Sequence, residues 1–399
     1  MQSSRLRFAA LAACGVACGA PRPAPSAEPA PAIRRLDGTA ITPAQIEATV
    51  DRVMAAARVP GLAIAILNDG RVAYLAARGW RDVESHAPLT VDTVLPAASF
   101  TKAAFATMVM ELVGDGRLDL DRPIEQYLGK SIAEHEDYTD LAGDDRHHKI
   151  TARMLLSHTS GLPNWRRFND DKKLDIKFDP GTRYSYSGEG ILLLQQVVHR
   201  ITGQSTTDRM ADRVFRRFGM PRTSMVWRPE FEADHATGYD PDGQPYPPAR
   251  RESPDAAGSM TTTVRDWSAL LAGLLRGEVL SPAARDEMLR PQIRIYSEHQ
   301  FPVGSAEISQ TNAGIRLSYG LGWGVFFTPY GRAYFKEGHD DGMQHYCVSF
   351  EGPRAAIVLM TNSDNGESMF EELLAELIGD RFSPTAWDNY VPYQTLKRN

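Results

Sequence analysis

The chain has 399 residues, 42% hydrophobic and 24% charged, with a formal net charge of −6. That is ordinary globular composition, long enough for two or three domain-sized units or one large composite domain. The charges are mixed and leave no basic footprint, which argues against a nucleic-acid partner. Arg5 and Arg7 precede a short apolar run from Phe8 to Cys18, and residues 19–31 are rich in Ala and Pro. The pattern predicts an export signal over 1–20 and a flexible linker over 21–37, because the apolar run is too short to cross a membrane. Leu11-Ala12-Ala13-Cys14 reads as a lipoprotein cleavage site, with Cys18 as a weaker alternative. The expected location is the periplasm or, through a lipid on Cys14 or Cys18, the membrane surface. A plain secreted protein cleaved near Ala20 is the competing expectation.

The spacing then predicts an amphipathic helix over 41–57, a buried strand over 61–67, a hairpin turn at Asn68-Asp69-Gly70 and a returning strand over 71–77. From Phe100 to Val113 the residues are apolar almost all the way round, which marks a buried helix. Residues 128–254 hold helical runs (152–157, 190–201) joined by polar loops. His147-His148 lies among carboxylates there. Adjacent histidines do not share a helix face, so this stretch reads as a solvated loop without a metal. Helices follow over 264–277 and 281–288, then strands over 319–325, 332–336, 346–350 and 355–361, and a closing helix over 367–378. The opening and closing strands can pair into one antiparallel sheet. The expectation is an α/β unit over 38–383 with a mainly helical insertion at about 128–254 and a C-terminal tail over 384–399. Cys347, the one cysteine beyond the leader, sits on a strand and reads as a buried, inert thiol.

Ser99-Phe100-Thr101-Lys102 opens the buried helix. A serine and a lysine three apart lie on one helix face. A lysine in a low-dielectric core is disfavoured as the ammonium, and an amine that gives up its proton can activate a hydroxyl. The plain alternatives are that Ser99 is only an N-cap and that Lys102 snorkels to solvent.

Four ordered stretches together resemble the serine β-lactamase-related and penicillin-binding-type hydrolases, the class C branch in particular. They are Ser99-Phe-Thr-Lys102, an S-x-x-K element; Ile150-Thr-Ala-Arg-Met-Leu-Leu-Ser-His-Thr-Ser-Gly-Leu162; Pro180-Gly-Thr-Arg-Tyr-Ser-Tyr-Ser187; and Gly338-His339 followed by Leu359-Met-Thr-Asn362. The resemblance covers roughly residues 41–378. It implies a β-lactamase/transpeptidase-like α/β fold, with an antiparallel sheet flanked by helices and an inserted helical subdomain.

The resemblance also implies roles. Ser99 corresponds to the nucleophile, Lys102 to the amine that shares its proton, and Tyr186 to the tyrosine that relays a proton to the leaving group. Tyr184 competes for that last role. His339 corresponds to the lysine of K-T-G, replaced by histidine in an H-x-G pattern, and Lys336-Glu337-Gly338 offers an alternative register. The oxyanion hole is expected from the backbone N–H groups of Ser99 and Gly342. Gly188 stands where Y-x-N has asparagine, Asp341 where H-x-G has glycine, and His345 where glycine is usual. These departures imply a missing substrate-holding amide and a carboxylate crowding the acyl site. The expected activity is hydrolysis of an ester or amide, of esterase or D-amino-acid peptidase type, on a small-molecule or peptide substrate. No cofactor is called for, and β-lactamase activity is expected to be weak or absent. A non-catalytic envelope or peptidoglycan-binding protein with a degenerate site is the alternative. Trp165, Tyr239 and Trp323 are candidate cleft residues.

Overall fold

The computed structural model describes residues 32–303 and 307–395. The export signal, with Cys14 and Cys18, lies outside the described residues. Helix α1 (Pro43–Ala57) starts where Thr42 and Gln45 cap each other reciprocally, and its buried face is Ile46, Val50, Val53, Met54 and Ala57. Strands β1 (Gly61–Asn68) and β2 (Arg71–Asp82) form the expected hairpin. Its two turn residues, Asp69 and Gly70, both have positive φ, as the tight hairpin turn demands. Helix α2 (Phe100–Gly114) is buried on nearly every side. Helix α3 (Gly188–Thr202) belongs to the helical block, and α4 (Val264–Arg276) returns the chain to the sheet.

The closing strands are β3 (Gly324–Thr328), β4 (Gly331–Asp340), β5 (Met343–Phe350) and β6 (Ala355–Thr361). One antiparallel sheet has the order Ala87–Pro88, β2, β1, β6, β5, β4, β3, Ser318–Tyr319, Ile293–Arg294. The single strand expected over 319–325 is in fact two, because Gly320–Trp323 turns the chain between them. Alternation along each strand sorts the core. Ala63, Ala65, Tyr334, Cys347 and Val358 share a cluster with Phe105, Trp267 and Leu270 of α2 and α4. Leu62, Ile64, Phe335, Tyr346 and Val348 share the opposite one with α1 and the helical segment 366–378. Cys347 is fully buried, and burial pushes its thiol up to about 12, so it stays a thiol.

Two boundary expectations and one loop expectation change. The linker ends earlier, since Ile33–Arg34 pairs with Ala40–Ile41. The expected tail is part of the core: Trp387, Tyr390 and Tyr393 bury themselves against the α1 face of the sheet. The His147-His148 loop is not simply solvated. His147 is buried, and the two Nδ1 atoms lie 2.9 and 2.7 Å from the Glu125 carboxylate, which also accepts from Ser131 and the Ile132 N–H. Those bonds clamp the loop to the turn at Glu125–Leu128.

Candidate active site

Ser99 ends a tight approach in which Ala98 takes a left-handed φ of 47°. Its side chain makes no capping bond. Instead Oγ accepts from Lys102 Nζ at 3.0 Å, and the same nitrogen donates to the Ala257 carbonyl at 2.6 Å. Lys102 is 1% exposed, so it does not snorkel. Both plain readings of the Ser-x-x-Lys pair are thereby replaced. The Ser99 N–H, at the positive end of α2, has no partner among the described residues.

Tyr186 faces this pair. Lys102 Nζ lies 4.9 Å from its ring centre and Lys336 Nζ 5.0 Å. Lys336 Nζ also donates to the Tyr186 hydroxyl at 3.2 Å and to Glu337 Oε1 at 2.5 Å. Burial works against the Lys336 charge, but Glu337, Tyr186 and Tyr319 outweigh it and hold the ammonium well above its usual range. His158 backs Tyr186, its ring centre 4.3 Å away. His158 Nδ1 accepts from the Ser187 N–H at 3.2 Å, and burial, with Lys102 and Lys336, keeps the ring neutral. Tyr184 is a core residue instead: its hydroxyl donates to Gln300 and its ring packs on Tyr319 and Trp387.

The structure corrects the third motif. Lys336, not His339, takes the lysine position. His339 lines the cavity, but its Nε2 sits 3.5 Å from Glu367 and its ring packs on Tyr390. The glycine of the motif is Gly338, where an added Cβ would lie 3.0 Å from the Ala97 carbonyl, next to the nucleophile's turn. Gly342 is no oxyanion donor, because its N–H bonds to Asp364 Oδ1 at 2.9 Å. Asp341 shares the hairpin turn with Gly342 and lines a separate cavity with Tyr246 and Met343, so it does not crowd the acyl site. Strand geometry leaves a different N–H free on this edge. The pair Asp340–Met343 closes a two-residue turn, so it exchanges hydrogen bonds and the N–H of His339 points away from β5. Pairing with β3 ends at Phe335, leaving that N–H on an open edge.

Gly188 starts α3, and both its N–H and that of Glu189 bond to Asn164 O. Trp165 fills the space a side chain would need, 2.7 Å from an added Cβ. The asparagine at hand is Asn164, whose Oδ1 accepts from the Gly188 N–H. His345 Nε2 donates to the Pro96 carbonyl at 2.8 Å, tying β5 to the segment before Ser99. The cavity, about 710 Å³, is lined by Ser99, Lys102, Asn164, Trp165, Tyr186 and Glu337 among others. Of the other candidate cleft residues, Tyr239 accepts from the Val83 N–H and Trp323 packs in the core. Sequence reasoning did not single out His158, Asn164 or Glu337. His158 stood inside the quoted His-Thr-Ser-Gly stretch; Asn164 had no local signal.

The chain matches the family profile described as Beta-lactamase over residues 46–379. It is 27% identical over 349 residues to penicillin-binding protein 4 of Amycolatopsis lactamdurans, covering 81% of this chain and 86% of that protein. It is 28% identical over 235 residues to esterase EstB of Burkholderia gladioli, covering 52% and 57%. A D-aminopeptidase of Brucella anthropi is 27% identical over 202 residues, covering 49% and 38%. Solved structures agree on the fold. The octameric penicillin-binding protein homologue of Pyrococcus abyssi superimposes with a TM-score of 0.69 at 22% identity, covering 85% and 78%. EstCE1, a hydrolase with promiscuous acyltransferase activity, superimposes with a TM-score of 0.68 at 18% identity, covering 84% and 98%. The profile match spans most of the chain and includes Ser99, Lys102, Tyr186 and Lys336: this protein belongs to the beta-lactamase family of serine hydrolases.

Proposed function

We propose that this chain hydrolyses an ester or amide through an acyl-enzyme on Ser99. The observation that carries the reading is the 3.0 Å contact between Lys102 Nζ and Ser99 Oγ on the wall of the cavity. Lys102 takes the Ser99 proton as Oγ attacks the carbonyl carbon. The oxyanion forms between the N–H groups of Ser99 and His339. The Tyr186 hydroxyl passes a proton to the departing oxygen or nitrogen, and the Lys336 ammonium steadies the charge that develops on the phenol oxygen. Water then attacks the acyl-serine by the same route in reverse. Asp341, the departure that would most degrade the site, lines a different cavity, which favours catalysis over a non-catalytic envelope role.

The substrate is an ester or a D-amino-acid amide, in keeping with relatives named esterase and D-aminopeptidase. A panel of short-chain p-nitrophenyl esters, D-amino-acid amides and nitrocefin tests this, with Ser99→Ala as the blank. Turnover of esters or D-amides that Ser99→Ala abolishes is the expected result. Nitrocefin as the best substrate overturns the substrate class. Arg5, Arg7 and the apolar run to Cys18 further support export. A mature N-terminus at Cys14, at Cys18 or just after Ala20 is expected by mass spectrometry of the cell-envelope fraction, and an intact Met1 overturns it.

A further inference from the structure

One group on the cavity wall is left without work by the acyl-transfer steps. Glu337 is 2% exposed yet lines the cavity. Its Oε1 pairs with Lys336, while Oε2 is buried with no partner among the described residues. Lys336 bridges Glu337 to the Tyr186 hydroxyl, so the carboxylate lies on the side where the leaving group departs. Behind it stands Asp388, 3% exposed. Both of its carboxyl oxygens, and the buried hydroxyl of Tyr390, also lack a partner among the described residues. Burial, with Glu337 nearby, holds the Asp388 carboxyl well above the usual carboxylate range. The cavity's cations are engaged elsewhere. Arg250 pairs with Glu232, Arg251 with Asp340, and Arg167 lies over Trp165. The unpartnered carboxylate on this wall is that of Glu337, which Lys336 holds below its usual range against the effect of burial.

We propose that Glu337 makes the leaving-group side of the cavity select a substrate whose leaving group carries an ammonium and reject one that carries a carboxylate. This deepens the acyl-enzyme reading of Ser99 and rests on it. An ammonium is attracted by the Glu337 carboxylate, whereas a carboxylate meets a like charge in a water-poor site. Glu337 acts here on binding and makes or breaks no bond.

Three thioacetates differing only in the leaving thiol test it: S-2-(dimethylamino)ethyl, S-3-methylbutyl and S-2-carboxyethyl thioacetate, with thiol release read by absorbance. The wild-type kcat/KM is expected to favour the cationic ester over the neutral one by ~10-fold and to disfavour the anionic one by at least as much. In Glu337→Gln both ratios should fall toward one, mainly through KM. Glu337→Asp, which draws the carboxylate back from the cavity, should move them the same way by less, which keeps the test decisive should Glu337→Gln fold poorly. An anionic ester turned over as well as the neutral one by the wild type, or ratios unchanged in both variants, overturns the proposal. Turnover that survives in Ser99→Ala, or none in the wild type, overturns the Ser99 reading and this one with it. Selectivity that fails while turnover still needs Ser99 overturns this one alone.

Discussion

The Lys336 ammonium donates to the Tyr186 hydroxyl at 3.2 Å, from a position three residues before the histidine that motif spacing favours. Removing it as Lys336→Ala should cost about 3 kcal/mol of transition-state stabilisation, roughly 100-fold in kcat/KM. His339→Ala keeps its backbone N–H and should cost far less. Steady-state ester kinetics on the two variants decide the register, and a larger loss in His339→Ala would restore the histidine.

Putting asparagine back at Gly188 should not help. Its Cβ would lie 2.7 Å from Trp165 and 2.9 Å from Asn164 O. Gly188→Asn is expected to destabilise by about 1–3 kcal/mol, the usual cost of overpacking, and to raise KM as Trp165 shifts. Thermal melts and ester kinetics check this; an unchanged melting temperature with improved KM would show that the site has room.

The buried histidines should work against the fold as acid is added. Burial holds His345 down to about 4 and His158 well below its usual range, against about 6.5 in the unfolded chain. Between pH 6.5 and 4 the unfolded state therefore binds protons that these histidines refuse in the native state, so their contribution to stability falls as pH drops through that window, against the opposite contribution of Glu367, which burial raises to about 7. His345 alone corresponds to about 3 kcal/mol across it. Denaturant melts from pH 7 to 4 should show the slope, and His345→Gln, which keeps an N–H for the Pro96 carbonyl, should flatten it. An equal slope in the variant would remove His345 from the account.

Much of this architecture is legible in the residues. An apolar run without a polar stripe is enough to bury α2, and Asn68-Asp69-Gly70 is enough to turn β1 into β2. Ser99, Lys102 and Tyr186 come together as their motifs imply. The errors have a common physical source. Lys336 and His339 are three apart on one strand, so they lie on opposite faces, and a spacing count cannot say which faces Tyr186. The two-residue turn at Asp341-Gly342 settles it, because it fixes which backbone groups remain on the open edge. Asn164 and Trp165 fill the gap at Gly188 across 24 and 23 residues of chain, which no local pattern records. The C-terminal segment looks like a tail by its position, yet Trp387, Tyr390 and Tyr393 recur every three residues and bury together.

The central claim is that Ser99 carries the acyl group. Labelling the protein with a fluorophosphonate and mapping the adduct by peptide mass spectrometry tests it most directly. One adduct is predicted, on Ser99 and faster in the wild type than in Lys102→Ala, with none in a folded Ser99→Ala variant. An adduct on any other residue, or ester turnover undiminished in Ser99→Ala, would contradict the account.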